Sequence, residues 1–219
     1  EIAFLCEIAQ PTYGLITNVG KAHLEGFGSE EGVFQGKTEL YDFIEKKDGL
    51  IFVNEDDHKL FFAIGNVAHI AFEPSEYSIV QEQPTLKLVR QNIEIPTQLV
   101  GTYNKENIVA AISIGAFFDV SSAKAAKAIS EYSPNNSRSQ LLKQNGKTLT
   151  FDAYNANPTS VAAAIEILSV SNPIDNIGRI RKGRRIAVLG YMLELGTEEH
   201  QLHAGLAELK EIAKIDLVH

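Results

Sequence analysis

Tyr13-Gly14-Leu15-Ile16-Thr17-Asn18-Val19-Gly20 is an apolar run of strand length that closes on polar residues and a glycine. Ser29, followed by Glu30 and Glu31, then reads as an N-cap with acids at the positive end of a helix reaching about Lys46. Asp48-Gly49 turns the chain into a second apolar run, Leu50-Ile51-Phe52-Val53. Strand, helix and strand in that order are the crossover unit of a parallel sheet, which places the chain in the α/β class.

The alternation extends in both directions. Upstream, residues 1–9 form a helical pattern stopped by Pro11, so the first domain is expected to have lost its opening strand. Downstream, a short helix around Lys59 to Ile64 and a strand at His69 to Phe72 continue the sheet. Between Tyr77 and Val100, alternating stretches interrupted by Pro84 and Pro96 predict antiparallel strands added to that sheet. Two helices follow, Lys105 to Phe118 and Ser122 to Tyr132, the first apolar around most of its circumference and therefore expected to be buried. Ser133-Pro134-Asn135-Asn136-Ser137 is polar and turn-rich, which divides the chain into domains 1–134 and 135–219. The second domain is a further α/β unit: a strand at Thr148 to Phe151, a helix from Pro158, a strand at Arg185 to Leu189, a helix from Glu198 to Lys214 and a last strand from Ile215.

Composition narrows the function classes. Acids outnumber bases 28 to 20, giving a formal net charge of -8, which argues against nucleic acid as a partner. No apolar run reaches the roughly 20 residues of a membrane-spanning helix, so membrane insertion is not expected. The single cysteine, Cys6, lies in an apolar helical pattern and reads as a packed thiol in a reducing, cytoplasmic setting.

Several stretches carry possible chemistry. Gly32-Val33-Phe34-Gln35-Gly36-Lys37-Thr38 imitates a phosphate-binding loop, but three residues separate its glycines where that loop needs four, and the stretch lies inside a helical pattern. Lys37 falls between Val33, Leu40 and Ile44 on the apolar stripe of this helix. Desolvation lowers the pKa of such an amine, and a neutral amine reacts with carbon dioxide to give a carbamate, an anionic oxygen ligand for Mg²⁺. The plainer alternative is a lysine whose stem snorkels to water. His23 lies in the loop after the first strand, at the sheet edge where α/β proteins bind ligands; it is either a metal or phosphate contact or an ordinary surface histidine.

Asn104 precedes the buried helix and reads as its N-cap, and Asn107 lies one turn on, where two carboxamides could face an adenine. Arg138 suits a phosphate, and Asp152, at a strand end, suits a ribose hydroxyl; the alternatives are a surface ion pair and a turn-stabilising acid. Asn157 is the expected cap before Pro158. The basic run Arg179 to Arg185 is short and reads as a solvated connection, and His200 with His203 lacks the further ligands of a zinc site.

The order of these stretches resembles the Mur ligase family. The resemblance rests on Thr17-Asn18 with His23-Leu24, on Lys37, on Gly101-Thr102-Tyr103-Asn104 with Asn107, on Ser137-Arg138-Ser139, and on Asp152-Ala153-Tyr154-Asn155-Ala156-Asn157-Pro158. The Tyr-Asn-Ala-Asn-Pro element and Leu189-Gly190 are most similar to the type that adds D-alanyl-D-alanine, with Tyr191 standing where the family usually has Asp. The resemblance implies a truncated P-loop-type central ATPase domain followed by a truncated Rossmann-like domain. It implies an ATP- and Mg²⁺-dependent amide ligase acting on UDP-N-acetylmuramoyl-tripeptide and D-alanyl-D-alanine, monomeric at full length, its phosphate-binding loop lying upstream so that the piece alone is inactive. Lys37 would be the carbamylated lysine and His23 the metal-site histidine. Asn104 and Asn107 would contact adenine, Asp152 the ribose and Arg138 a phosphate, with Asn155 and Asn157 near the incoming dipeptide. A folylpolyglutamate-type ligase and a non-catalytic binding or assembly module are the alternatives.

Overall fold

The computed structural model describes residues 2–20, 24–135, 137–171 and 183–219. Its first part runs α1 (Ile2–Ala9), β1 (Tyr13–Leu15), α2 (Leu24–Phe27), α3 (Glu30–Lys46), β2 (Leu50–Asn54), α4 (His58–Ala63) and β3 (Ala68–Phe72). β1, β2 and β3 form a parallel sheet in that order, with Tyr13 opposite Leu50 and Leu50 opposite Ala68. β2 is the central strand and is buried on both faces. Its alternation sends Phe52 into one hydrophobic cluster and Ile51 and Val53 into another.

The cluster around Ile51 and Val53 is closed by Tyr41 and Ile44 of α3 and Leu60 of α4. Ser29 caps α3 as expected, its hydroxyl accepting from the Gly32 N–H at 3.1 Å. Gly32 and Gly36, the glycines of the phosphate-loop look-alike, lie in the first two turns of α3, under α2. A Cβ on Gly32 would collide with the Phe27 carbonyl oxygen, and one on Gly36 with the Phe27 ring. The spacing that imitates a nucleotide motif thus serves close packing.

The stretch after β3 departs from expectation. A 3-10 turn at Pro74–Glu76 intervenes, and β4 (Ser78–Gln81), β5 (Lys87–Arg90) and β6 (Ile93–Pro96) form an antiparallel sheet of their own. Pro74 has no N–H to extend a ladder. The two sheets share side chains instead: Leu86, Leu88 and Ile95 pack into the cluster that holds Phe52 and Phe72. α5 (Asn104–Phe117) covers this cluster with Ile108, Val109 and Ala110, and α6 (Ser122–Glu131) follows. Full burial on α5 is confined to its first half; Ile112 and Ile114 pack partly buried against the same cluster, and Phe117 and the C-cap Phe118 are 38% and 52% exposed.

The second part opens with a hairpin, β7 (Gln140–Gln144) and β8 (Lys147–Phe151), turned at Asn145-Gly146, both with positive φ. α7 (Pro158–Val170), β9 (Ile186–Ala187), α8 (Glu199–Ala207) and β10 (Leu217–Val218) complete it, with β9 and β10 parallel. The expected helix from Glu198 to Lys214 is broken at Glu208, and residues 212–214 form a separate 3-10 turn. Val161, Ile165, Met192 and Leu195 form the core of this part. Residues 179–182 of the basic run lie outside the described residues.

A helix-interior Gly→Ala change ordinarily stabilises by about 1 kcal/mol, whereas forcing a methyl against backbone costs about 1–3 kcal/mol. Gly32→Ala is expected to lower the melting temperature by several degrees in scanning calorimetry. Gly26→Ala in α2, where nothing lies within 4 Å of the added Cβ, is expected to leave it unchanged or raise it.

Candidate functional site

The C-terminal edge of the parallel sheet collects the groups of interest, because each strand there hands its chain to a loop. Beyond β1 the chain runs through Thr17 and Asn18, and α3 returns above that loop. Lys37 reaches across, its Nζ donating to the Asn18 carbonyl at 2.8 Å. The side chain is half-buried beside Val33 and Leu40, and desolvation holds its pKa below the ordinary lysine value. Among the described residues no carboxylate pairs with it. The bond to a carbonyl needs only an N–H, so a protonated amine, a neutral amine and a carbamate nitrogen can all keep it. His23 lies outside the described residues.

On the opposite face, α5 begins at Asn104. Asn104 is the first helical residue rather than the N-cap; Tyr103 occupies that position without a side-chain cap. The carboxamide of Asn104 donates back to the Val100 carbonyl at 2.8 Å and accepts weakly from Asn107 Nδ2 at 3.4 Å. The two amides therefore meet, and the exposed Asn107 keeps its oxygen and a second N–H. Beside them lies a cleft of about 290 Å³ lined by Asn54, Asp56, Asp57, His58 and Glu106. Asp57 caps α4 through the Leu60 N–H, and Asp56 binds the Ser75 N–H and hydroxyl, so both acids have structural work. Desolvation first, then Asp57 and Asp56, push the Glu106 carboxyl above its ordinary pKa.

Arg138 sits between Ser137 and Ser139, whose φ values are 59° and 49°. Left-handed backbone at a non-glycine residue is costly, and here hydrogen bonds hold it in place. The Ser137 carbonyl accepts from the Ala153 N–H at 2.8 Å, and the Ser139 N–H donates to Asp152 Oδ1 at 3.2 Å. The guanidinium lies 3.9 Å from the Tyr154 ring centroid, and among the described residues that ring is its partner. Asp152 also accepts from the Ser139 hydroxyl at 3.3 Å, and the same hydroxyl meets Tyr103 of the first part. Sequence reading quoted Tyr103 and Ser139 within longer stretches and gave neither a role. Neither shows in apolar periodicity, and only the fold brings them together.

Asn157 caps α7 in a reciprocal capping box with Ser160, which occupies its Oδ1 and leaves its amide N–H groups. Asn155 is exposed, with its carbonyl near the Ser160 hydroxyl. The start of α7 lies against the first part: a Cβ on Gly20 would stand 4.0 Å from the Thr159 hydroxyl. A backbone bond from the Glu25 N–H to the Glu194 carbonyl, 3.1 Å, adds a second junction. The Asn18–Gly20 loop that holds Lys37 thus meets the α7 N-terminus, while Arg138 borders the first part separately, through its neighbour Ser139 and Tyr103 at the start of α5.

His203 is a structural residue. Its Nδ1 faces the Glu199 carbonyl at 2.9 Å and its Nε2 accepts from the Met192 N–H at 3.1 Å, so both ring nitrogens are used. Tyr191 stacks on this ring and bonds Glu199, which gives the tyrosine a packing role where the resemblance expects an acid. Among the described residues no group of three or more His, Cys, Asp or Glu side chains could hold a metal ion. Cys6 is buried, and burial pushes its thiol up, as befits an inert packed cysteine. No helix among the described residues is long and apolar enough to cross a membrane.

Comparison with known proteins gives a consistent picture. Residues 1–115 match the Mur ligase middle domain and residues 137–219 the glutamate ligase domain of Mur ligases. Across the whole chain the sequence is 32% identical to UDP-N-acetylmuramoyl-tripeptide–D-alanyl-D-alanine ligase of Bacillus subtilis, covering 48% of that protein. The chain spans about half the length of the curated relatives it matches. Among solved structures, MurF of Acinetobacter baumannii superposes with a TM-score of 0.77 at 22% identity, over the whole chain and 53% of that protein. MurF of Thermotoga maritima in complex with ADP gives 0.76 at 21% identity, over the whole chain and 55% of that protein. At these identities the superpositions bear on the fold.

The lowered pKa of Lys37 has a thermodynamic consequence with a definite sign. Between the folded pKa and the unfolded one the unfolded chain binds more protons, so this lysine's contribution to stability rises with pH through that window. Lys37→Met removes the titration at similar volume. In urea unfolding, the stability difference between parent and variant is expected to move in the parent's favour from pH 8 to pH 10.5; a flat difference would show an unshifted amine.

Proposed function

The chain belongs to the Mur ligase family, and on that footing we propose that it works as the nucleotide- and acceptor-facing portion of a ligase that joins D-alanyl-D-alanine to UDP-N-acetylmuramoyl-tripeptide. ATP phosphorylates the tripeptide carboxylate and leaves as ADP. The amine of D-alanyl-D-alanine attacks the acyl phosphate, and inorganic phosphate departs with an amide formed. These substrates are ones that the curated relatives' names specify, and such chemistry belongs in the cytoplasm, where ATP is available. The reading takes residues 1–134 as the ATP-binding domain and 135–219 as the domain that closes on it.

The observation that carries the reading is the half-buried Lys37 amine, turned onto the Asn18 loop with no carboxylate to neutralise it among the described residues. A lysine so desolvated is poised to become a carbamate, which exchanges a cation for an anionic oxygen ligand. Lys37 in that form and His23 would hold Mg²⁺, which when bound offsets charge on the phosphoryl group. Charge sorts the rest. The acidic cleft of Asp56, Asp57 and Glu106 repels phosphates, so a neutral adenine fits the Asn104 and Asn107 edge next to it. The phosphate chain then runs toward Lys37 and Arg138, and Asp152 faces the ribose between them. Asn155 and the free amide of Asn157 stand at the start of α7, where the dipeptide amine would arrive.

The test uses the native polypeptide that carries this sequence. Phosphate release should require both UDP-N-acetylmuramoyl-tripeptide and D-alanyl-D-alanine. Release with folate and glutamate instead would favour a folylpolyglutamate-type ligase, and none with any acceptor a non-catalytic module. Lys37→Ala is expected to reduce turnover by at least about a thousandfold, with no rescue by bicarbonate, because the nitrogen that carries the carbamate is gone. Near-normal turnover would remove the carbamate from the account.

A further inference from the structure

The hydroxyls of Tyr103 and Ser139 and the carboxylate of Asp152 form a continuous chain between the two parts of the molecule. Its direction follows from the chemistry of the groups. An ionised carboxylate only accepts, so the Ser139 hydroxyl donates to Asp152 Oδ2 at 3.3 Å. That uses the serine's one proton, and Ser139 Oγ must therefore accept from the Tyr103 O–H. Burial, the largest influence on Tyr103, pushes its phenol up, so the donor stays protonated across neutral pH. Ser139 is only 6% exposed, which shields the middle of the chain, while Tyr103 at 42% and Asp152 remain open to water at its ends.

Two further features fix the geometry. Gly101, with φ of 87°, leaves the space that the Tyr103 ring fills; a Cβ there would collide with the ring and stand 2.8 Å from Ile167 Cδ1 of α7. Ser139 meanwhile holds a left-handed φ of 49°, with its N–H on Asp152 Oδ1 at 3.2 Å, and its neighbour is Arg138. Whatever seats Ser139 therefore seats the Asp152 carboxylate directly and the Arg138 backbone at one remove.

We propose that Tyr103 and Ser139 are positioning residues for nucleotide use: with the two parts together, the tyrosine completes a hydrogen-bond chain that aims Asp152 and Arg138 at the nucleotide. The inference rests on the ligase reading above, in which those two residues face the ribose and a phosphate. When the parts separate, Ser139 loses the donor that comes from the other part, and its hydroxyl is free to turn. Nucleotide affinity is thereby tied to closure through a group that touches no substrate.

In the native polypeptide, Tyr103→Phe keeps the ring against Gly101 and removes the hydroxyl. It is expected to raise KM for ATP about five- to tenfold, the equivalent of one hydrogen bond. kcat should stay within about twofold, and KM for D-alanyl-D-alanine should not move. Ser139→Gly suits a left-handed residue better than serine, so backbone strain cannot explain a loss. It should reproduce the ATP effect, and the double variant should be no worse than the poorer single one, since both break the same chain. An ATP KM unmoved in both single variants, additive effects in the double variant, or equal rises for every substrate would overturn the proposal. A wild-type protein that releases no phosphate with any acceptor would sink the ligase reading and this inference together. A normally active wild type beside an unaffected Tyr103→Phe would sink this inference alone.

Discussion

Burial of β2 on both faces is the constraint from which the site follows. Its period-two alternation puts Phe52 against α5 on one side and Ile51 and Val53 against α3 on the other. A slip of one residue would exchange the two faces and put Phe52 where Ile51 and Val53 fit, misfitting both helices. Because α3 is held by Tyr41 and Ile44, Lys37 is carried along the same helix over the end of β1. Because α5 is held by Ile108 and Val109, Asn104 and Asn107 are fixed at its opposite-facing start. The groups assigned to phosphate and base thus come from opposite faces of one sheet and converge on its C-terminal edge, where α/β folds bind ligands.

Lys37 shows how such a scaffold prepares chemistry. A lysine on an apolar stripe loses part of its hydration and gains what its neighbours offer, which here is the Asn18 carbonyl at 2.8 Å. One hydrogen bond to a neutral acceptor returns about 1 kcal/mol or somewhat more, less than full hydration of an ammonium group provides. The balance shifts toward the neutral amine, which is the form that reacts with carbon dioxide. The bond to the loop holds the nitrogen at the sheet edge, at a place still open to water.

Much of this was legible in sequence, and the remainder was hidden for identifiable reasons. The Ser29 cap, the strand at Leu50 and the Asn157-Pro158 helix start carry local signals and stand where those signals put them. The Gln140–Gln144 strand was missed even though Asn145-Gly146 is a strong hairpin turn, because Leu141-Leu142 gives no alternation and the hairpin is largely exposed. The first strand was read as far as Val19 on apolar character, yet its ladder ends at Leu15 opposite Phe52, and β1 leaves the sheet while β2 and β3 continue to Asn54 and Phe72. The antiparallel strands were placed in the parallel sheet because pattern reveals strand type but not which edge pairs. For the site, Lys37, Asn104, Asn107, Arg138 and Asp152 could be named from spacing and residue type, while Tyr103 and Ser139 depended on tertiary proximity alone.

Strain at Ser137 and Ser139 belongs to the same economy. Two left-handed non-glycine residues flanking an arginine cost on the order of 1–3 kcal/mol each, and a flexible junction would shed that cost by relaxing. The junction is held because the Ala153 N–H, Asp152 and Tyr103 all bind it, the first two from the end of β8 and the third from the start of α5. Arg138 is left with its guanidinium over Tyr154 and no carboxylate partner among the described residues. An aromatic face orients a cation without neutralising it, whereas an aspartate in the same place would have satisfied the charge and competed with a phosphate. The junction is therefore hydrogen-bonded in backbone and open in charge, a combination that suits the phosphate contact proposed for Arg138.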